Sequence, residues 1–216
     1  MHKRLLAILL ICALAFPCAP AASAETAPVS APLTAGTVQN GMVRVRLSSL
    51  GNFTALNLTI QGSCTAIGSS SLALSGGSAA TVKFSSASGQ WTLVSGGAST
   101  GMGASFRLQR RETSGQSGVK IAQGRVPGNL YPGDFQFIAR ADNGSYVPWV
   151  IVSVFMEDYL CGVLPYEMGD SSGLEALKAQ AVAARTYTLR RMAGAGGALY
   201  DVVDTTADQV YSGTPS

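Results

Sequence analysis

The stretch Tyr159–Arg190, YLCGVLPYEMGDSSGLEALKAQAVAARTYTLR, sets one carboxylate, Glu167, between a proline stop and a helix start. Pro165 fixes its own φ, lacks an amide proton and biases Leu164 away from helical geometry. A first helix over Phe155–Val163 is therefore expected to end just before it. The next helix opens on Ser172-Gly173-Leu174-Glu175, which fits a capping box: the serine takes one orphan amide and Glu175 reaches back to another. That commits Glu175 to structure, and Asp170 reads the same way. Glu167 is left in the connection with no structural duty.

From about Gly173 to Met192 the residues are good helix formers, and Ala193-Gly194 closes the run with a glycine suited to a left-handed cap. Ala176, Ala179, Ala181, Ala183 and Ala184 have almost no bulk. They predict a long, Ala-rich, buried central helix that other elements approach closely. Gln180 and Arg185 would then need partners, in nearby loop carbonyls or carboxylates.

Before this helical pair the pattern has period two. Phe135, Phe137 and Ala139 alternate, Asp142-Asn143-Gly144 supplies a hairpin turn, and Val150, Val152 and Val154 return on a second strand. Pro148 implies that this second strand begins at an edge or a bulge. Earlier still, Val43–Leu47, Leu56–Ile60, Ser71–Leu74, Thr81–Phe84, Trp91–Val94, Ser105–Gln109 and Val119–Ala122 are short strand-like runs between Gly/Ser clusters. The fold class is α+β: a meander of short strands, as a small sheet or sandwich, leading into the helical pair.

The chain opens with an export signal in outline. His2, Lys3 and Arg4 are basic, Leu5–Phe16 is apolar, and Ala22-Ser23-Ala24 offers a cleavage site, so a mature start at Glu25 is expected. The apolar core is too short to span a bilayer as a helix, and only an uncleaved signal would tether the chain to a membrane. Residues 25–40 read as an extended leader. Of the 15 Lys+Arg, Lys3 and Arg4 belong to the signal, which leaves thirteen against 12 Asp+Glu. Near-neutral charge gives no argument for nucleic acid. The single histidine is His2, so the mature chain has no Ser-His-Asp or Cys-His mechanism and no His-ligated metal. Cys64 and Cys161 remain after cleavage, and both a disulfide and two separate thiols stay open. Trp91 with Arg107, Arg110 and Arg111 would make a polymer-binding face, but a core tryptophan and a solvated face are the stronger reading.

Two motifs carry a resemblance. YLCGVLPYEM followed by EALKAQAVAARTY is similar to the signature of the stage II sporulation protein D family, SpoIID, which includes the amidase-enhancer-type LytB proteins. Downstream, the YDVVDTTADQVYSG segment from Tyr200 to Gly213 resembles the second motif of that family. The resemblance is firm over about residues 124–213. It divides the chain into signal (1–24), leader (25–40), a β-rich region (41–123) and a SpoIID-like domain (124–216). Family members usually continue further, so this chain is expected to lack part of the far side of a cleft.

The resemblance implies an exported lytic transglycosylase acting on peptidoglycan strands without stem peptides, in wall remodelling or sporulation, located outside the membrane. Glu167 would be the general acid and then the general base. That role asks for a partly apolar surround, which Leu164, Tyr166 and Met168 would supply. Gln209 and Tyr211, two apart, would share one face of an extended segment. They would either look into the cleft, with Gln209 bonding N-acetyl or hydroxyl groups and Tyr211 stacking on or donating to a sugar, or form a polar edge with a packed tyrosine. Tyr166, where the family usually has a small residue, would narrow the cleft or stack. Arg185 is a weaker substrate contact that equally holds a loop in place. Asp204 and Asp208 would support the site or serve turns. Some members bind zinc through Cys and His in the second motif; Val203, Ala207 and Asp208 stand here instead, so neither a metal nor another cofactor is expected. The alternative is a non-catalytic enhancer that binds wall glycan or a cell-wall amidase.

Overall fold

Alternation between buried and exposed positions builds most of this molecule. The computed structural model describes residues 41–113, 116–169 and 172–215. The expected signal and leader, and Asp170, lie outside the described residues. The strands are β1 (Met42–Arg46), β2 (Ala55–Gln61), β3 (Cys64–Ile67), β4 (Ser71–Leu74), β5 (Ala79–Ser85), β6 (Gln90–Ser95), β7 (Ala98–Gly103), β8 (Ser105–Arg110), β9 (Gly118–Ile121), β10 (Leu130–Tyr131), β11 (Gly133–Asp142), β12 (Ser145–Phe155) and β13 (Val202–Val203). Two helices, α1 (Met156–Glu167) and α2 (Leu174–Gly194), fall between β12 and β13. The chain is thus α+β and mostly β.

One sheet has the order β13-β1-β12-β11-β8-β3-β4 and the other β10-β9-β2-β5-β6-β7. Both draw strands from either side of residue 123, so the early strands and the motif region share their sheets. The inward residues of the two sheets meet in one core around Trp91. Its ring packs on Phe84 of its own sheet at 4.4 Å and on Phe106 and Phe137 of the other at 6.0 and 5.5 Å. Phe106 and Phe137 stack at 4.4 Å. Each such pair adds about 1 kcal/mol beyond the area it buries. Trp91 is therefore a core anchor, as expected, whereas Arg110 lies on neither a solvated nor a polymer-binding face but is buried on Asp134.

The β11–β12 hairpin turns as its sequence predicts. Asn143 and Gly144 both take positive φ, 45° and 83°, as a two-residue type I′ turn requires. Pro148 sits inside β12, opposite Ala139 of β11. It is tolerated because Leu47 N–H bonds Val150 O at 2.9 Å on the β1 side, and residues two apart share an edge. Pro148 faces that same side just beyond the end of β1, where its missing donor costs nothing.

Four expectations for the helices need correction. α1 does not stop before Pro165 but runs through it to Glu167. The carbonyl that proline leaves without a donor is that of Cys161, an exposed residue where water can serve it, and contacts beyond the helix hold the last turn. α2 has no capping box: it begins at Leu174 after Gly173 with no side-chain cap, and Glu175 pairs with Lys178 instead. Its far end is Gly194, and the left-handed glycine is Gly196, at φ 53°. Nor is α2 a buried helix. Only Ala184 and Thr188 are buried, while Leu174 and Val182 are 67% and 60% exposed. Alanine is the best helix former whether or not the helix is covered, so alanine content alone does not decide burial.

Candidate functional site

Glu167 is the last helical residue of α1, half-buried, and not a loop residue ahead of α2. The chain leaves the helix at Met168 with extended geometry, its N–H closing on Leu164 O at 2.9 Å. Glu167 Oε1 accepts the N–H of Val210 at 3.1 Å, so the second motif holds the end of the first. Its Oε2 has no protein partner among the described residues. The other carboxylates of α1, Glu157 and Asp158, lie nine or ten residues back, about 14 Å along the axis at 1.5 Å per residue. That is too far to act across one glycosidic bond with Glu167.

Tyr166 stands beside Glu167, half-buried. Asn129 Nδ2 lies 2.8 Å from the Tyr166 hydroxyl oxygen and 2.9 Å from Ser212 O, donating to both. Tyr166 thus receives a hydrogen bond and keeps its own proton to give outward. Leu164 and Met168 are half-buried alongside.

Gln209 and Tyr211 do share one face, and it is turned toward α1. Gln209 is 7% exposed, and its Oε1 accepts from the hydroxyls of Tyr159 at 3.2 Å and Thr188 at 2.8 Å. One side-chain amide therefore joins α1, α2 and the last segment. Tyr211 is 1% exposed, with its ring 5.1 Å from Tyr159 and 5.7 Å from Tyr131. It presents no ring face to solvent, and its hydroxyl has no hydrogen-bond partner among the described residues. Gly162 makes this packing possible, since a Cβ there would come within 2.4 Å of the Tyr211 ring. Burial drives the phenols of Tyr131, Tyr159 and Tyr211 well above the usual tyrosine range, so all three stay neutral and none can act as a base.

The remaining carboxylates of the second motif tie the segment down. Asp201 pairs with Arg44 at 2.6 Å. Asp204, fully buried, accepts from Ser48 Oγ and Ser49 N–H, each at 2.9 Å, and from Ser49 Oγ. Asp208 accepts from Val203 N–H at 2.8 Å and Tyr187 at 2.6 Å, and pairs with Arg191 at 3.0 Å. Arg185 makes a two-pronged pair with Glu157 at 2.8 and 3.0 Å on the α1–α2 seam. The structure therefore brings together Glu167, Tyr166 and the Val210 backbone. It places Gln209 and Tyr211 in the packing beneath and Arg185 on the exposed seam.

Sequence reading gave no role to Asn129, Tyr159 or Thr188. Tyr159 and Thr188 stand in or directly beside the quoted motifs, and their hydroxyls on a buried helix face were the available signal. Asn129, 83 residues from Ser212, had none.

A family model described as stage II sporulation protein, SpoIID, matches residues 148–216. An uncharacterized protein of Brachyspira hyodysenteriae is 44% identical over 84 residues, which are 38% of this chain and 22% of that one. The amidase enhancer of Bacillus subtilis is 54% identical over 54 residues, 25% of this chain and 7% of its own. The chain thus spans less than a quarter of the length of either relative. No solved structure matches. Residues 148–216 thus match the stage II sporulation protein family, SpoIID, which the two motifs resemble.

Proposed function

We propose that this protein works on the bacterial cell wall, as an exported lytic transglycosylase that cleaves peptide-free peptidoglycan strands with Glu167 as its single acid and base. The family supports the wall-related part, and the observation that carries the chemical part is the state of the Glu167 carboxylate. Asp201, Asp204 and Asp208 are each taken up by two or more protein donors. Glu167 accepts one, on Oε1. Oε2 has no protein donor among the described residues.

One carboxyl suffices where the substrate brings its own nucleophile. Glu167 gives its proton to the glycosidic oxygen as the bond from muramic C1 to that oxygen breaks, and N-acetylglucosamine leaves as an alcohol. The carboxylate so formed takes the proton of the muramic C6 hydroxyl, whose oxygen closes on C1 as a 1,6-anhydro ring. The proton count returns to its start and no water is consumed. Tyr166, with its hydroxyl proton free, is placed to donate to a sugar hydroxyl or acetamido oxygen next to Glu167. Gln209 and Tyr211 act from beneath, holding the helix that carries the acid.

The burial of Gln209 and Tyr211 favours a second reading. With those two turned inward, fewer side chains remain for substrate, as suits an enhancer that binds glycan or a cell-wall amidase and cuts nothing. Digestion of peptide-free strands by the wild-type protein and by Glu167→Gln separates the two. Anhydro-ended products that vanish in the variant support the enzyme; equal binding without products from either protein supports the enhancer.

A further inference from the structure

Most arginines around the two helices have a carboxylate partner: Arg44 has Asp201, Arg110 has Asp134, Arg185 has Glu157 and Arg191 has Asp208. Six described arginines have none: Arg46, Arg107, Arg111, Arg125, Arg140 and Arg190. Arg46, Arg140 and Arg190 of these gather at one place. A groove of about 900 Å³ runs between the C-terminal part of α2, the β11–β12 hairpin and the loop before β13, lined by Arg140, Trp149, Tyr187, Arg190 and Tyr200 among others. Glu167 is not part of its lining.

Trp149 of that lining carries two guanidinium groups, one of them from Arg46, which stands just outside the lining itself. The Arg46 guanidinium carbon lies 3.9 Å from the centre of the Trp149 ring, and that of Arg140 lies 4.9 Å from it. Tyr200 meets Trp149 edge-on at 5.7 Å, and Arg46 also lies 5.7 Å from the Tyr200 ring. A guanidinium resting on a ring is fixed in orientation but not neutralised, and its N–H donors remain at its rim. Two like charges held on one indole leave a concentration of positive charge that a bound anion relieves. A carboxylate fits this need, because it takes two parallel N–H bonds from one guanidinium. Tyr187 flanks the groove with its hydroxyl proton already given to Asp208, so toward a sugar it offers a ring edge and an acceptor oxygen.

We propose that this groove binds the carboxylates of a peptide-free glycan strand. In such a strand every muramic residue ends in a free lactyl carboxylate. In a peptide-bearing strand the same carbon is a neutral amide, and in a plain N-acetylglucosamine chain it is absent. The groove would thus be where the protein distinguishes bare strands from substituted ones. This rests on the reading of the protein as peptidoglycan-directed, but not on its cutting the strand.

The test is binding, measured with the Glu167→Gln chain so that no strand is cut. The ligands are peptide-free strands, the same strands with their carboxyls converted to amides, and N-acetylglucosamine oligomers. Peptide-free strands should bind best, and each loss of a charged hydrogen-bonding group should cost about tenfold in Kd. That loss is expected for the amidated strands and for Arg46→Gln and Arg140→Gln. Arg190→Gln, on an exposed part of α2, should weaken binding several-fold without touching the fold. Added salt should weaken only the carboxylate-bearing ligand. Amidated strands bound as tightly as free ones, or folded Arg140→Gln and Arg190→Gln proteins binding like the parent, would overturn the assignment. So would poly(glycerol phosphate) binding in place of the glycan. Arginine-dependent binding in a protein that never cleaves leaves the groove standing and removes the enzyme reading. Cleavage indifferent to these arginines does the reverse.

Discussion

The N–H of Val210 meets Oε1 of Glu167 at 3.1 Å, across 43 residues of chain. This bond connects the two motifs that the sequence sets apart. It comes from backbone, so no change of side chain at position 210 removes the donor short of proline. Val210→Pro should therefore release the Glu167 carboxylate. Any strand cleavage should fall by about tenfold or more, the cost of a hydrogen bond to a charged group, while Val210→Ala should change it little. Product assays on folded variants check this.

Gly162 and Tyr211 set a second expectation. A methyl at position 162 would lie 2.4 Å from one Tyr211 ring carbon and 2.8 Å from another. The ring is held between Tyr131 and Tyr159 and cannot retreat. Alanine in a helix normally gains about 1 kcal/mol over glycine. Here Gly162→Ala should instead lose about 1–3 kcal/mol overall, read as a lower urea midpoint.

Gln209 and Tyr211 should respond in opposite ways. Gln209→Ala strands the buried hydroxyl of Tyr159, while Thr188 keeps its bond to Ala184 O at 2.9 Å, and should cost about 1–2 kcal/mol of stability. Tyr211→Phe removes a buried hydroxyl that has no partner among the described residues, and should be neutral or mildly stabilising. A large loss of glycan binding in folded Tyr211→Phe would show that the tyrosine touches sugar after all.

Of the four cysteines, the two among the described residues are free thiols, Cys64 buried and Cys161 exposed. Burial, with some help from Asp134, pushes the Cys64 thiol up to about 11. Burial and then the charges of Asp158 and Glu157 also raise Cys161, so it should react more slowly than a free thiol and faster as pH rises. In the chain cut after Ala24, a thiol reagent at pH 8 should label one cysteine in the native state and two after denaturation. Mass mapping should place the first label on Cys161.

Strands with strict alternation were legible: β2, β4, β6, β8 and the β11–β12 hairpin fall where period two puts them. β3 and β7 were not, because Cys64–Ile67 and Ala98–Gly103 are short and small, and pairing with neighbours rather than their own pattern makes them strands. Proline and alanine misled in opposite directions. Pro165 is a local preference that the surrounding contacts override, and alanine favours helix without fixing what covers it. At the site, the motif pointed to Glu167, but no local signal could tell that Gln209 and Tyr211 turn toward Tyr159. That orientation is decided by packing across 50 residues.

The central claim is that Glu167 alone moves a proton from itself to a glycan oxygen and back from the muramic C6 hydroxyl. Peptide-free strands digested in ¹⁸O-labelled water, with the products weighed by mass spectrometry, test this most directly. The account predicts 1,6-anhydro ends free of ¹⁸O from the wild-type protein and no cleavage from Glu167→Gln. Labelled reducing ends, or the same products from the variant, would contradict it.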